Sequence, residues 1–163
     1  PQNQLGTDNQ RTGRRTVMLK TAIVYHSSHH GNTKKLVEAV ARGHDVTLID
    51  ASAQARADLS GYDLIGFASG IYAGSFHPDV LNFARANLPE GRRVFFLYTY
   101  AGLGSAKSIA AAVREKSAQV AGEFGCRGFN TFGPFKLIGG TGKGHPDQED
   151  LEHARRFFEG LCQ

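Results

Sequence analysis

The sequence predicts a three-layer α/β domain built on a doubly wound, five-stranded parallel sheet. Three observations lead there. From residue 21 onward, short β-rich apolar runs alternate with stretches of helical periodicity. One run, RVFFLYTY (93–100), is continuously hydrophobic, as a strand buried on both faces requires. A length of 163 residues with 40% hydrophobic content suits a single domain with an adequate core. Strands separated by helices need crossovers, so the sheet is parallel, covered on both sides and wound right-handed.

The elements follow in order. TAIVY (21–25) is a first buried strand, and TKKLVEAVARG (33–43) a helix with Leu36, Val37, Val40 and Ala41 on one face and Gly43 as its stop. DVTLID (45–50) is the second strand, followed by a polar loop over 51–62. DLIGFAS (63–69) is the third, with Gly66 as a weak point. A glycine-rich loop spans 70–77, and PDVLNFARANL (78–88) is a helix with Pro78 in its first turn. After strand 93–100, AGLGS leads into a helix over about 106–122, and a last strand with an irregular extension is expected over 127–138. DQEDLEHARRFFEGL (147–161) closes the domain, with Asp147 and Asp150 as a capping pair and Leu151, Ala154, Phe157, Phe158 and Leu161 facing inward.

Residues 1–18 are polar, without the apolar centre of a secretory signal, and read as a disordered leader ahead of a domain over 19–163; Met18 is a candidate natural start. Arg11, Arg14, Arg15 and Lys20 against Asp8 put +3 of the net +4 in the first twenty residues. The other 143 hold 15 basic and 14 acidic groups, which argues against a nucleic-acid surface. No run of about 18 apolar residues is present, so no membrane span is expected. Cys126 and Cys162 make neither a disulfide framework nor a metal spacing, which suits a reducing cytoplasm, and Cys126 reads as a small core residue.

In a doubly wound sheet ligands bind beyond the carboxyl ends of the strands, which points to three loops. His26-Ser27-Ser28-His29-His30-Gly31-Asn32-Thr33 joins a buried strand to a helix start. Unpaired N–H groups and the positive dipole end there favour a phosphate, with Ser27, Ser28, Asn32 and Thr33 adding side-chain bonds. Equally, Asn32 or Thr33 simply caps the helix. No G-x-G-x-x-G follows the first strand, so the dinucleotide fingerprint is absent. IGGTGKGHP (138–146) is not a P-loop either: Leu137 stands five before Gly142, and Lys143 is followed by Gly144.

IVYHSSHHGNTKKLVEA resembles the phosphate-loop signature of the flavodoxin family, and the resemblance covers about residues 19–163. It implies strand order 2-1-3-4-5 and one FMN at the carboxyl ends of the strands. This loop is one residue longer than in ordinary flavodoxins; His29 or His30 then adds an N–H to the phosphate, or stands exposed and uninvolved. By the same resemblance Ser69, Gly70, Ile71, Tyr72, Ala73 and Gly74 meet the flavin ring near N5, where a peptide beside Gly70 or Gly74 can turn cheaply. Tyr72 lies against the ring or is an ordinary half-exposed aromatic. Thr99, Tyr100, Ala101 and Gly102 approach the pyrimidine edge, with Tyr100 a second stacking surface. The third loop lacks the acidic residues common in flavodoxins, which implies a less extreme lowest reduction potential.

The function implied is an FMN electron carrier working with redox partner proteins, for which no general acid or base is needed. The alternative is a small FMN-dependent oxidoreductase on the same fold, of the NAD(P)H, quinone or protoporphyrinogen-oxidase type. A signalling receiver domain would need a phosphorylatable aspartate ending the third strand, where Ser69 stands. A cofactor-free interaction domain is the remaining reading. Oligomeric state, monomer or dimer, is left open.

Overall fold

The computed structural model describes residues 18–28, 30–131 and 133–163, so the expected leader falls, but for Met18, outside it. The strands β1 (Thr21–Tyr25), β2 (Val46–Asp50), β3 (Leu64–Tyr72), β5 (Arg93–Tyr100) and β6 (Gln119–Arg127) form a parallel sheet in the order β2-β1-β3-β5-β6. A two-residue strand, β4 (Ser75–Phe76), pairs antiparallel with the end of β3. With that hairpin set aside, the order is the one expected.

The helices are α1 (Asn32–Ala41), α2 (Pro78–Asn87), α3 (Lys107–Arg114) and α4 (Gln148–Leu161). Helices α1 and α4 pack together over one face of the sheet, and α2 and α3 over the other. Alternation along the buried strands divides the core accordingly. Phe67 and Phe96 point with Val80, Phe83 and Ile109 to the α2/α3 side. Phe95 and Leu97 point with Leu36, Val40 and Phe158 to the α1/α4 side. Each fully buried Phe or Leu contributes on the order of 2 kcal/mol from apolar surface removed from water. Gly66 is explained by the same packing: a Cβ there would stand 2.4 Å from Phe95 Cζ, so the strand omits a side chain to admit a ring.

The helix ends follow their chemistry. Pro78 opens α2, with His77 as N-cap accepting from the Asp79 N–H. Asp147 and Asp150 form a reciprocal capping box on α4. Cys126 is a buried core residue, and burial pushes its thiol up to about 12. Among the described residues no helix is long and apolar enough to cross a membrane.

Four expectations are corrected. The helix expected over 106–122 ends at Arg114, and the last strand runs over Gln119–Arg127 instead of 127–138. Gln119 and Val120 lie exposed on a sheet edge, so this strand is held by its ladder to β5 and not by an apolar run. The expected third strand, 63–69, continues to Tyr72, and the loop expected over 70–77 is a tight hairpin. Its turn residues Ala73 (φ 49°) and Gly74 (φ 80°) both have positive φ, as a type I′ turn demands.

Candidate functional site

A cavity of about 740 Å3 opens at the carboxyl ends of β1, β3, β5 and β6. Its first wall is the β1–α1 connection: Ser28, His30, Asn32 and Thr33 line it. The N-cap of α1 is Gly31, in the left-handed region at φ 69°, and it brings no capping side chain. Ser27 Oγ accepts instead from the Lys34 N–H, 3.1 Å away, leaving earlier first-turn N–H groups uncapped by a side chain at the positive end of the helix. Asn32 does not cap its helix; its Nδ2 donates to the Phe129 carbonyl at 2.8 Å. Its Oδ1 is buried with no partner, an orphan acceptor beside the cavity. Thr33 Oγ1 lies 3.4 Å from Thr99 Oγ1, joining the first wall to β5.

The second wall is the β3–β4 hairpin, from which Gly70, Ile71, Tyr72, Ala73 and Gly74 line the cavity. Tyr72 folds back over Gly70, whose absent Cβ would meet the ring at 3.3 Å. Its hydroxyl bonds Ser28 Oγ at 2.7 Å, bridging first and second walls. The third wall is Thr99, Tyr100, Ala101, Gly102 and Leu103. Here Tyr100 is fixed by Gly104, where a Cβ would stand 2.5 Å from the ring.

Every residue expected in the site except His29 is thereby located. Thirteen line the cavity: Ser28, His30, Asn32, Thr33, the five residues 70–74, and the four residues 99–102. Ser69 does not. It is fully buried, donating to the Gly70 carbonyl and accepting from the His77 N–H, and so fixes the hairpin's base. Gly31 and Ser27 shape the helix start without lining the cavity. His29 lies outside the described residues.

The sequence reading misses a fourth wall, Gly128, Phe129, Asn130, Thr131 and Lys136, contributed by the segment after β6. It is a built loop: Asn130 and Thr141 exchange both backbone bonds at 2.8 Å, and the Phe129 N–H reaches the His145 carbonyl at 2.9 Å. The rejected P-loop stretch is part of this construction. It closes on the first wall through Asn32–Phe129 and through His30, whose ring lies 4.2 Å from that of Phe129 and whose Nε2 is 3.2 Å from Thr131 Oγ1. The available signal was the glycine-rich run following a strand end, the same pattern that marked the other loops.

Behind the hairpin, His26 and His77 stack with ring centres 3.5 Å apart and planes 2° from parallel. His26 Nδ1 donates to Asp79 Oδ2 at 3.1 Å. Burial, then the neighbouring His26, holds the His77 pKa below its ordinary value. The ligand atoms of His26, His77 and Asp79 lie within 4.8 Å of one another. Yet His77 Nδ1 already accepts the Asp79 N–H, and parallel rings aim their lone pairs in separate planes. The trio is a capping and packing cluster, unsuited to a metal as arranged.

The doubly wound sheet with a largely apolar cavity, bordered by a helix start and hydroxyl groups, at its carboxyl edge defines an α/β protein of the ligand-binding, topological-switch type. Residues 23–130 match the family model described as a flavodoxin domain, and the chain belongs to the flavodoxin family, a class of redox flavoproteins. It is 32% identical over 150 residues to an uncharacterised protein of Methanocaldococcus jannaschii, covering 89% of this chain and 99% of that relative. Its fold is similar to a flavodoxin from the domain Archaea (TM-score 0.61, 20% identity, 87% of this chain and 96% of that one). It is also similar to a flavodoxin WrbA-like protein from Agrobacterium tumefaciens (TM-score 0.61, 18% identity, 88% and 95%). Rubredoxin oxygen:oxidoreductase from Desulfovibrio gigas matches over 88% of this chain and 35% of its own (TM-score 0.65, 13% identity).

Proposed function

We propose that the protein binds FMN in this cavity and serves as an electron-transfer flavoprotein. One observation carries the reading. The uncapped start of α1, with Ser28, Thr33 and the orphan Oδ1 of Asn32, opens into the same space as the glycine-bearing turns of the second and third walls. A phosphate ester fits the first feature, because helix N–H groups and hydroxyls donate to its oxygens. A flat ring fits the second, because Gly74 and Gly102, with open space where a side chain would stand, allow close backbone approach beside Tyr72 and Tyr100. The Asn32 Oδ1 accepts, so it serves a ribityl hydroxyl and not the phosphate.

When bound, the flavin supplies the redox chemistry by accepting and releasing electrons with a proton at N5. The chain holds the ring between the two tyrosine-bearing walls and limits water with the fourth. Because the cavity loops carry no carboxylate, the protein does not oppose negative charge gained by the ring. A reducing cytoplasm belongs to the same proposal, since Cys126 and Cys162 are both free thiols.

The test is a fluorescence titration of flavin-stripped protein with FMN, FAD and riboflavin. FMN is expected to bind roughly 100-fold tighter than riboflavin, about 2.7 kcal/mol for the phosphate contacts. Equal affinity for riboflavin, or none for FMN, overturns the proposal. Heat release and identification of the natural chromophore provides the second check.

A further inference from the structure

The loop segments at the cavity and directly beside it, 27–33, 70–75, 101–107 and 127–146, contain no Asp or Glu. They do contain Lys107, Arg127, Lys136 and Lys143, all exposed. None of these four is ion-paired with a carboxylate among the described residues. Lys34 and Lys35 follow directly in the first turns of α1, also exposed. The 15 carboxylates of the chain all lie outside these segments, so its near-neutral total conceals a basic bias in these loops, with Asp147 and Asp150, bound to His145, at their border.

The same loops carry the most exposed large apolar side chains among the described residues. Leu103 lines the cavity and is 94% exposed; Leu137 and Ile138, next to the cavity residue Lys136, are 89% and 75% exposed. Exposed apolar tips on loops that also carry cations without a carboxylate partner suit a protein-docking patch, in which apolar contacts are desolvated and the charges select and steer. A small anionic ligand would engage the cations and leave the leucines in water.

We propose that these loops dock a small acidic redox protein, with Leu103 and Leu137 at the centre of the contact and the lysines facing its carboxylates. What the docking serves rests on the FMN reading; the contact itself does not.

The test uses the 15N-labelled full chain, with and without added FMN, titrated with an acidic plant-type ferredoxin and, separately, with basic cytochrome c. Ferredoxin is expected to shift amides near Leu103, Lys107, Leu137 and Lys143. Its affinity is expected to fall about tenfold or more between 20 and roughly 200 mM salt, as screening of a charged interface requires. The double variant Lys107→Glu/Lys143→Glu weakens ferredoxin binding by about tenfold at low salt and improves that of cytochrome c. Leu137→Ser weakens binding while leaving the salt slope unchanged. Preference of the unmodified protein for cytochrome c, salt-independent binding, or NADPH shifting these amides while ferredoxin does not, overturns the proposal. Ferredoxin shifts persisting in protein that takes no FMN would sustain the docking surface and remove the flavin reading. FMN binding without ferredoxin shifts would do the opposite.

Discussion

The Tyr72 hydroxyl and Ser28 Oγ, 44 residues apart in sequence, are joined by a 2.7 Å hydrogen bond across the cavity. The two groups belong to different walls, one expected to hold a phosphate and the other a ring. An incoming phosphate would compete with Tyr72 for the serine hydroxyl. Tyr72→Phe is therefore expected to cost about 1 kcal/mol of stability in flavin-free protein. Ser28→Ala is expected to cost the same and to weaken FMN binding by roughly tenfold as well. Thermal unfolding and flavin titration of the two single variants and the double variant separate the effects.

Tyr100 is held in place by the absence of a side chain at residue 104. Gly104→Ala places a Cβ 2.5 Å from the Tyr100 ring, so the ring must move. FMN affinity is expected to drop by about tenfold, the scale of a displaced stacking partner. Flavin fluorescence quenching on titration reads the change directly.

At the core, Gly66→Ala forces its Cβ to 2.4 Å from Phe95 Cζ. Overpacking of this kind costs about 1–3 kcal/mol. Phe95→Leu added to Gly66→Ala is expected to restore part of that loss, measured by denaturant unfolding, because the ring and not the strand is the source of the clash.

Two histidines give stability opposite pH dependences. Burial and His26 lower the pKa of His77 below its unfolded value. Its neutral form is favoured on folding, so its contribution is present above about pH 6.5 and declines as pH falls below it. His145 is raised, first by its 2.7 Å bond to Asp150. Its contribution is present below about pH 6.5 and disappears as pH rises through the folded value. His77→Asn retains an N-cap acceptor and is expected to flatten the acid side of the stability profile. His145→Asn is expected to flatten the neutral side. Denaturant midpoints between pH 5 and 8 test both.

How far the sequence revealed the fold depends on where each signal originates. Strand β5 and helix α4 carry their own signals, a continuous apolar run and a capping pair followed by periodic Leu151, Ala154 and Phe158. The segment 115–127 carries none. Its Ala118, Gln119, Val120 and Ala121 suit a helix, and only pairing with β5 makes them a strand. The hairpin was hidden similarly, because Ala73-Gly74 lacks the Asn-Gly or Asp-Gly signature of a type I′ turn. In the site, three walls were visible because each loop follows a legible strand. The fourth follows the misassigned one, so Phe129, Thr131 and Lys136 went unseen.

The bonds from Asn32 to Phe129 and from His30 to Thr131 span 97 and 101 residues. The first wall and the fourth therefore meet only once the chain has been made through β6 and the loop after it. A nascent chain that stops short of β6 would own three sides of a receptacle with nothing to close it.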